Sequence, residues 1–128
     1  MKRMFLGRPS TTPVHFVSEE DLQVYESRAS GNAMELDVSN VYDDRDLFAT
    51  VSKAMSFPDY FGENWDALDE CLSDLEWLPE TGFILVVKGA SKAWSRNPKM
   101  MGMFTNSWLE ANEYWIKQGT PFHLVFIV

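Results

Sequence analysis

Asp66, Asp69 and Glu70 stand at spacings of three and four. On a helix those spacings bring the three carboxylates to one side. Clustered carboxylates do one of two kinds of chemistry. They exchange protons with a substrate, as two acids facing each other across a sugar do in a glycosidase. Or they hold cations, taking Arg, Lys or protonated His in charge-assisted bonds. The three acids lie side by side on one short helix, and no segment of this 128-residue chain marks a wall opposite them. Cation holding is the better fit. Tyr60, Phe61 and Trp65 flank the acids, and aromatic rings ringed by carboxylates make an anchor for a basic protein. The plainer reading is that Tyr60 and Trp65 fill the core and the acids are a solvated face.

Other chemistry finds little support. There is no GxGxxG and no GxxxxGK[ST] to cradle a phosphate, and no CxxC. Two histidines and one cysteine fall short of the about four ligands of a zinc site. Asp43, Asp44 and Asp46 could touch a calcium ion, but they lack the loop that would complete its shell. They more simply favour the positive end of the helix that follows. Cys71 falls on an apolar stripe and reads as a buried structural thiol rather than a nucleophile. His15 and His123 stand alone as candidate bases. No metal, no cofactor and no enzymatic activity are expected.

Charge narrows the partner. The net charge is -8, and residues 54–87 hold eight acids with no Lys or Arg. Residues 88–128 carry five basic and two acidic residues. An acidic middle repels phosphate backbones and attracts basic surfaces, so a basic protein is the expected partner and direct nucleic-acid binding is not. Kept for solubility alone, the same charge needs no partner. A 45% hydrophobic content excludes global disorder, and a single cysteine excludes an internal disulfide and favours a reducing compartment. No apolar run approaches the about 20 residues of a membrane span. The basic start, Met1 to Pro9, lacks the apolar core of a signal peptide.

The acids need a helix, and the helix needs a frame. Asn64 is placed to cap it, with Leu68, Cys71, Leu72 and Leu75 on the buried stripe. Trp65, one residue past the cap, cannot lie fully on that stripe and should be partly exposed. Like charges at these spacings cost a few tenths of a kcal/mol. Before this helix, Leu47, Phe48, Val51, Ala54 and Met55 form one apolar face, stopped by Pro58. Residues 34–38 alternate as a strand, and 83–87 and 122–127 are apolar runs suited to buried parallel strands. Ser18 caps one or two helical turns, and Arg28 to Asn32 form a turn. A short helix is expected around Ala90–Trp94, a loop through Asn97-Pro98, and a long helix from Phe104 to Lys117 ended by Gly119 and Pro121. Met100, Met101 and Met103 read as core filling or as an adaptable contact surface. The expected fold is α/β: a small three-stranded parallel sheet packed by helices, with residues 14–17 as a further N-terminal edge strand. Residues 1–33 read as a partly flexible extension beginning in a loose arm over 1–13, and residues 34–128 as the folded domain.

The run from Phe57 to Leu68 resembles the barstar family, small intracellular inhibitors of secreted bacterial ribonucleases. The shared pattern is hydrophobic-Pro-Asp/Glu-Tyr-aromatic-Gly-x-Asn-x-Asp-Ala-Leu, here Phe57-Pro58-Asp59-Tyr60-Phe61-Gly62-Glu63-Asn64-Trp65-Asp66-Ala67-Leu68. The resemblance implies a three-stranded parallel sheet with helices, a cytoplasmic bacterial inhibitor or immunity protein, and occlusion of a basic ribonuclease by the second family helix and its preceding loop. It implies partner contacts at Tyr60, Gly62, Asp66 and Glu70, with Asn64 at the helix start; the cluster of acids and rings read above adds Phe61, Trp65 and Asp69 to the expected contact surface. Glu70 stands where the family's central inhibitory aspartate stands. Asp69 replaces a tryptophan and Trp65 a leucine. A further family glutamate falls near Tyr114, where Glu113 is adjacent and Glu110 one turn earlier. The alternatives are a module binding a basic protein that is not a nuclease, and a small enzyme or metal protein.

Overall fold

A computed structural model describes residues 6–26, 33–79 and 81–128. The elements run β1 (Val14–Val17), α1 (Glu19–Glu26), β2 (Ala33–Asp37), α2 (Asp44–Ala54), α3 (Trp65–Leu72), β3 (Phe83–Lys88), α4 (Ala90–Arg96), α5 (Pro98–Lys117) and β4 (Phe122–Ile127). The three expected core strands are present, and residues 14–17 supply the edge strand. All neighbours are parallel, in the order β1-β4-β3-β2. The expected turn over Arg28–Asn32 lies outside the described residues, as do the first five residues of the arm.

The strand order decides which face each helix covers. β2 to β3 and β3 to β4 each step the same way across the sheet. Parallel crossovers are right-handed, so α2, α3, α4 and α5 share one face. The step from β1 to β2 runs the opposite way and sends α1 to the other face. The two cores agree. Leu36, Leu85, Val87, Leu124 and Phe126 join the large core with residues of α2 to α5. The alternate residues Ile84, Val86, Val125 and Ile127 meet Leu6 and Leu22 on the far side. Burial on both faces is why β3 and β4 read as unbroken apolar runs.

The long C-terminal helix differs from expectation. It begins at Pro98 rather than Phe104, and α4 reaches Arg96, so no loop separates them. Proline is harmless at a first helical position, where its missing N–H has no intrahelical partner. Asn97 caps the start, its side chain accepting from the Met100 N–H at 3.2 Å. Met100 and Met101 are consequently core residues, while Met103 stays exposed.

Backbone strain is local. Ser56 has φ +53° just past α2, where Ser56 N–H bonds Lys53 C=O and Phe57 N–H bonds Ser52 C=O. The end of α5 closes in the same way, with Gly119 at φ +70°. Serine occupies a left-handed position that glycine fills without penalty. Gly89, φ +73°, has no such freedom to change: a Cβ there would meet the Ser39 hydroxyl and backbone.

The arm is fastened over residues 6–13. Leu6 is buried, the Ser10 carbonyl accepts from Asn112 Nδ2 at 2.7 Å, and the Pro13 carbonyl accepts from Leu124 N–H. The Arg8 carbonyl lies 2.7 Å from His123 Nε2, whose Nδ1 lies 2.9 Å from His15 Nε2. A carbonyl only accepts, so His123 donates through Nε2 and its neutral ring accepts at Nδ1 from His15. Two lone histidines thus form one relay rather than two candidate bases. Burial, then His123, lowers the pKa of His15 to about 4. Burial also lowers His123, against the opposing effect of its bond to Arg8.

Two outcomes follow. Ser56→Gly is expected to raise unfolding free energy by about 0.5–1 kcal/mol, read by urea titration. With its folded pKa lowered, His15 binds its proton more readily in the unfolded chain. Its contribution is full above 6.5 and is lost as pH falls toward 4. The urea midpoint of the parent is expected to drop across that window more steeply than that of His15→Gln, and equal slopes would contradict the relay.

Candidate protein-binding site

The acidic helix α3 is fixed at both ends. At its start the Asn64 side chain accepts from the Ala67 N–H at 2.8 Å, as its sequence position requires. Asn64 Nδ2 also donates to the Gly62 carbonyl at 3.3 Å, drawing the preceding loop onto the helix. At its end the Trp115 indole N–H donates to the Leu72 carbonyl at 2.7 Å, satisfying one of the helix's orphan acceptors. Leu68, Cys71 and Leu72 are buried beneath. The Cys71 thiol is pushed up by burial first, then by Asp74 and Glu70. It is a packed thiol.

The aromatic residues divide. Trp65 packs edge-on against Phe48 of α2, ring centroids 5.0 Å apart, and its indole N–H donates to Asp44 Oδ2 at 3.2 Å. It is partly buried, as its place beside the cap requires. Phe61 is turned toward Phe48 and Phe57 and is also partly buried. Tyr60 is 66% exposed. Its hydroxyl donates to Asp74 Oδ2 at 3.0 Å. The phenol is raised by local desolvation first and then by Asp74.

Asp66 and Glu70 are exposed, one turn apart. Asp69 is partly buried and faces α5. There it lines a groove of about 530 Å³ with Trp65 on one side and Lys99, Gly102, Met103 and Glu110 on the other. Asp69 Oδ1 has no hydrogen-bond partner among the described residues and no access to solvent. Glu110 Oε1 accepts from Asn106 Nδ2 at 3.2 Å. Glu113 is exposed farther along α5 and does not line this groove. Among the described residues no ion pair involves Asp66, Asp69 or Glu70. Asp43 and Asp46 are occupied in capping: Asp43 accepts from Asp46 N–H at 2.8 Å, and Asp46 accepts from Tyr42 N–H at 3.1 Å. Among the described residues no three potential metal ligands converge.

The loop before α2 is held from α4. Arg96 Nη2 donates to the carbonyls of Val38, Ser39 and Val41, and its guanidinium lies 4.2 Å over the Tyr42 ring. That clasp sets the start of α2 and hence Asp44, which holds Trp65. Sequence reasoning missed Arg96, Gly102 and the α5 wall of the groove. The row 99, 103, 106 and 110 has helical spacing, but it is visible only once the helix is known to begin at Pro98.

Comparison with known protein families matches residues 32–127 to the family described as barstar, the barnase inhibitor. The chain belongs to the barstar family. Barstar proteins inhibit by binding rather than by catalysis, so membership carries a general ribonuclease-inhibitor-like function and places the chain outside the enzymes. No curated protein matches the chain. The match begins after β1 and α1, which lie outside the barstar region. Among the described residues no helix is long and apolar enough to cross a membrane.

The anchored geometry predicts that Asn64→Ala lowers stability by about 1 kcal/mol through loss of the cap. Trp115→Phe keeps an aromatic ring but removes the indole donor and strands the Leu72 carbonyl, at a cost of about 1–3 kcal/mol. Chemical denaturation checks both.

Proposed function

We propose that the chain is an inhibitor or immunity protein that occludes the active centre of a basic bacterial ribonuclease with α3 and the loop from Asp59 to Asn64. The observation that carries the reading is the exposed pair Asp66 and Glu70 on a helix fixed at both ends, inside a segment with no Lys or Arg. A ribonuclease centre must gather positive charge to hold RNA phosphates. Two carboxylates one turn apart offer that centre the same charge on a preorganised backbone. Glu70 is the central contact, with Asp66 beside it and Tyr60, Phe61, Gly62, Asn64 and Trp65 shaping the loop and rim. Asp69 and Glu110 supply charge from the α5 side, and Glu113 from farther along that helix. The partner is a secreted or toxin ribonuclease, the inhibitor is cytoplasmic, and neither nucleic acid nor membrane is bound directly.

Burying an arginine or lysine cluster against these acids repays its desolvation only while the acids are present. The test captures a partner from the source cells and their secreted fraction at low and moderate salt, then assays RNA cleavage by that partner with and without the chain. The parent is expected to suppress cleavage. Glu70→Ala is expected to weaken inhibition by roughly a hundredfold or more, because it leaves a desolvated cation unpaired. Asp66→Ala is expected to weaken it less, and both variants should melt as the parent does. Undiminished inhibition by both would remove α3 from the interface. A captured partner without nuclease activity would leave a binding module instead.

A further inference from the structure

Among the described residues the sheet ends in two edges, β1 and β2, and the chain treats them differently. β2 carries Glu35 and Asp37, both exposed, and charge on an edge strand discourages a further strand from pairing there. β1, Val14-His15-Phe16-Val17, has no acid, lysine, arginine or proline within it. Its outer side is ready for hydrogen bonding. Pro13 C=O accepts from Leu124 N–H and Val17 C=O from Val128 N–H, so the odd-numbered residues bond to β4. Alternation along the ladder then turns the peptide groups of Val14 and Phe16 outward, and no described residue bonds them. Phe16 is 56% exposed although its ring is seated, stacked on Phe126 at 5.1 Å and tilted toward Trp94 at 6.1 Å. One side of a fixed aromatic ring thus stands bare beside a row of unpaired backbone groups.

We propose that β1 pairs antiparallel with β1 of a second copy of this chain, joining two sheets across a two-fold axis. The register follows from the outward groups. Val14 of one copy and Phe16 of the other exchange both N–H···O=C bonds, the reciprocal pair does the same, and His15 meets its own counterpart on the axis. On the face that carries α2 to α5, each Phe16 then lies against the opposite Val14, a ring against a β-branched side chain. Four residues make a short seam, and flanking charge selects its direction. Residues 1–13, leading into β1, hold Lys2, Arg3 and Arg8 and no acid. Residues 18–26, leaving it, hold Glu19, Glu20, Asp21 and Glu26 and no Lys or Arg. Antiparallel pairing sets the leading segment of each copy at the leaving end of the other, with opposite sign, whereas parallel pairing would set acid beside acid. β1 and α1 precede the region matched to the barstar family, and the pairing does not rest on the inhibitor reading.

The test is sedimentation velocity of the full chain over a wide concentration range, with amide hydrogen exchange at the two extremes. The mass is expected to rise from that of one chain toward twice that value. The Val14 and Phe16 amides are expected to exchange roughly tenfold more slowly in the concentrated sample, and those of His15 and Val17, already bonded to β4, to change far less. Phe16→Lys should weaken association roughly tenfold or more, because it places a charge in the seam. If that variant fails to fold, Val14→Pro decides the matter, since it removes an outward N–H and no bond to β4. Glu19→Gln combined with Glu20→Gln reduces the like net charge of the two copies, which by itself favours association. A loss of roughly threefold or more is expected instead, because those acids face the basic segment of the other copy. Tighter association of that double variant would contradict the antiparallel seam. A chain that stays monomeric at every concentration, a dimer whose Val14 and Phe16 amides exchange as in the monomer, or undiminished association of Phe16→Lys and Val14→Pro would each overturn the proposal. So would protection of those two amides only when a ribonuclease is added, which would make the edge a seat for a strand of that partner.

Discussion

Two parallel strands buried on both sides impose the main constraint on this molecule. β3 and β4 carry apolar side chains to each face of the sheet, so each face needs a cover. The helices between β2 and β4 can supply only one, because crossovers of one hand in one direction fall on one side. The second cover has to come from a connection running the other way. Only the step from β1 to β2 does so. The segment before the barstar region is therefore part of the fold's solution: it brings Leu22 and Leu6 to the uncovered face and adds a strand beside β4. The histidine relay and the bonds from Asn112 and Leu124 fasten that segment to elements of the barstar region.

A rigid frame matters for the acidic helix because its charges oppose each other when no partner is present. Three acids within one and a half turns favour fraying, and only Asp66 lies where the helix dipole helps. The opposing contributions are neutral ones: the Asn64 cap, the Trp115 bond at the far end and the buried Leu68-Cys71-Leu72 stripe. None of them consumes a carboxylate of α3. The fold thus holds the helix by amides, indoles and packing, and leaves its acids out of that bonding. The acids around α2 are treated oppositely. Asp43 and Asp46 are spent on backbone N–H groups and Asp44 on Trp65.

Much of this was legible in sequence where a short-range rule acts alone. Period-two alternation gives β2, apolar runs give β3 and β4, and the Asn64 cap gives the start of α3; its end does not follow, because Leu75, read on the same buried stripe, lies past Leu72 in a left-handed conformation. The start of α5 was not legible, because Pro98 carries opposite meanings inside a helix and at its first position, and only the Asn97 cap decides between them. The fastening of residues 6–13 was hidden too. Leu6, Arg8 and Ser10 have no periodicity, and the partners of Arg8 and Ser10 lie more than a hundred positions away. The separation of Asp69 from Asp66 and Glu70 is a matter of which neighbour stands beside the helix. Helical angles order the three acids around the axis, but only α5 shows that one of them looks into a groove.

The pairing of β1 with β4 also bears on how the protein comes into being. His15 and His123 are 108 positions apart, and a contact that distant pays a larger loop-closure entropy before it returns anything. During synthesis the first strand to leave the ribosome must wait, partnerless in the sheet, for a strand made more than a hundred residues later. The acidic helix and its loop are already outside by then. The acidic helix is thus translated before the sheet can close, and the completion of β4 sets the moment at which β1 gains its partner.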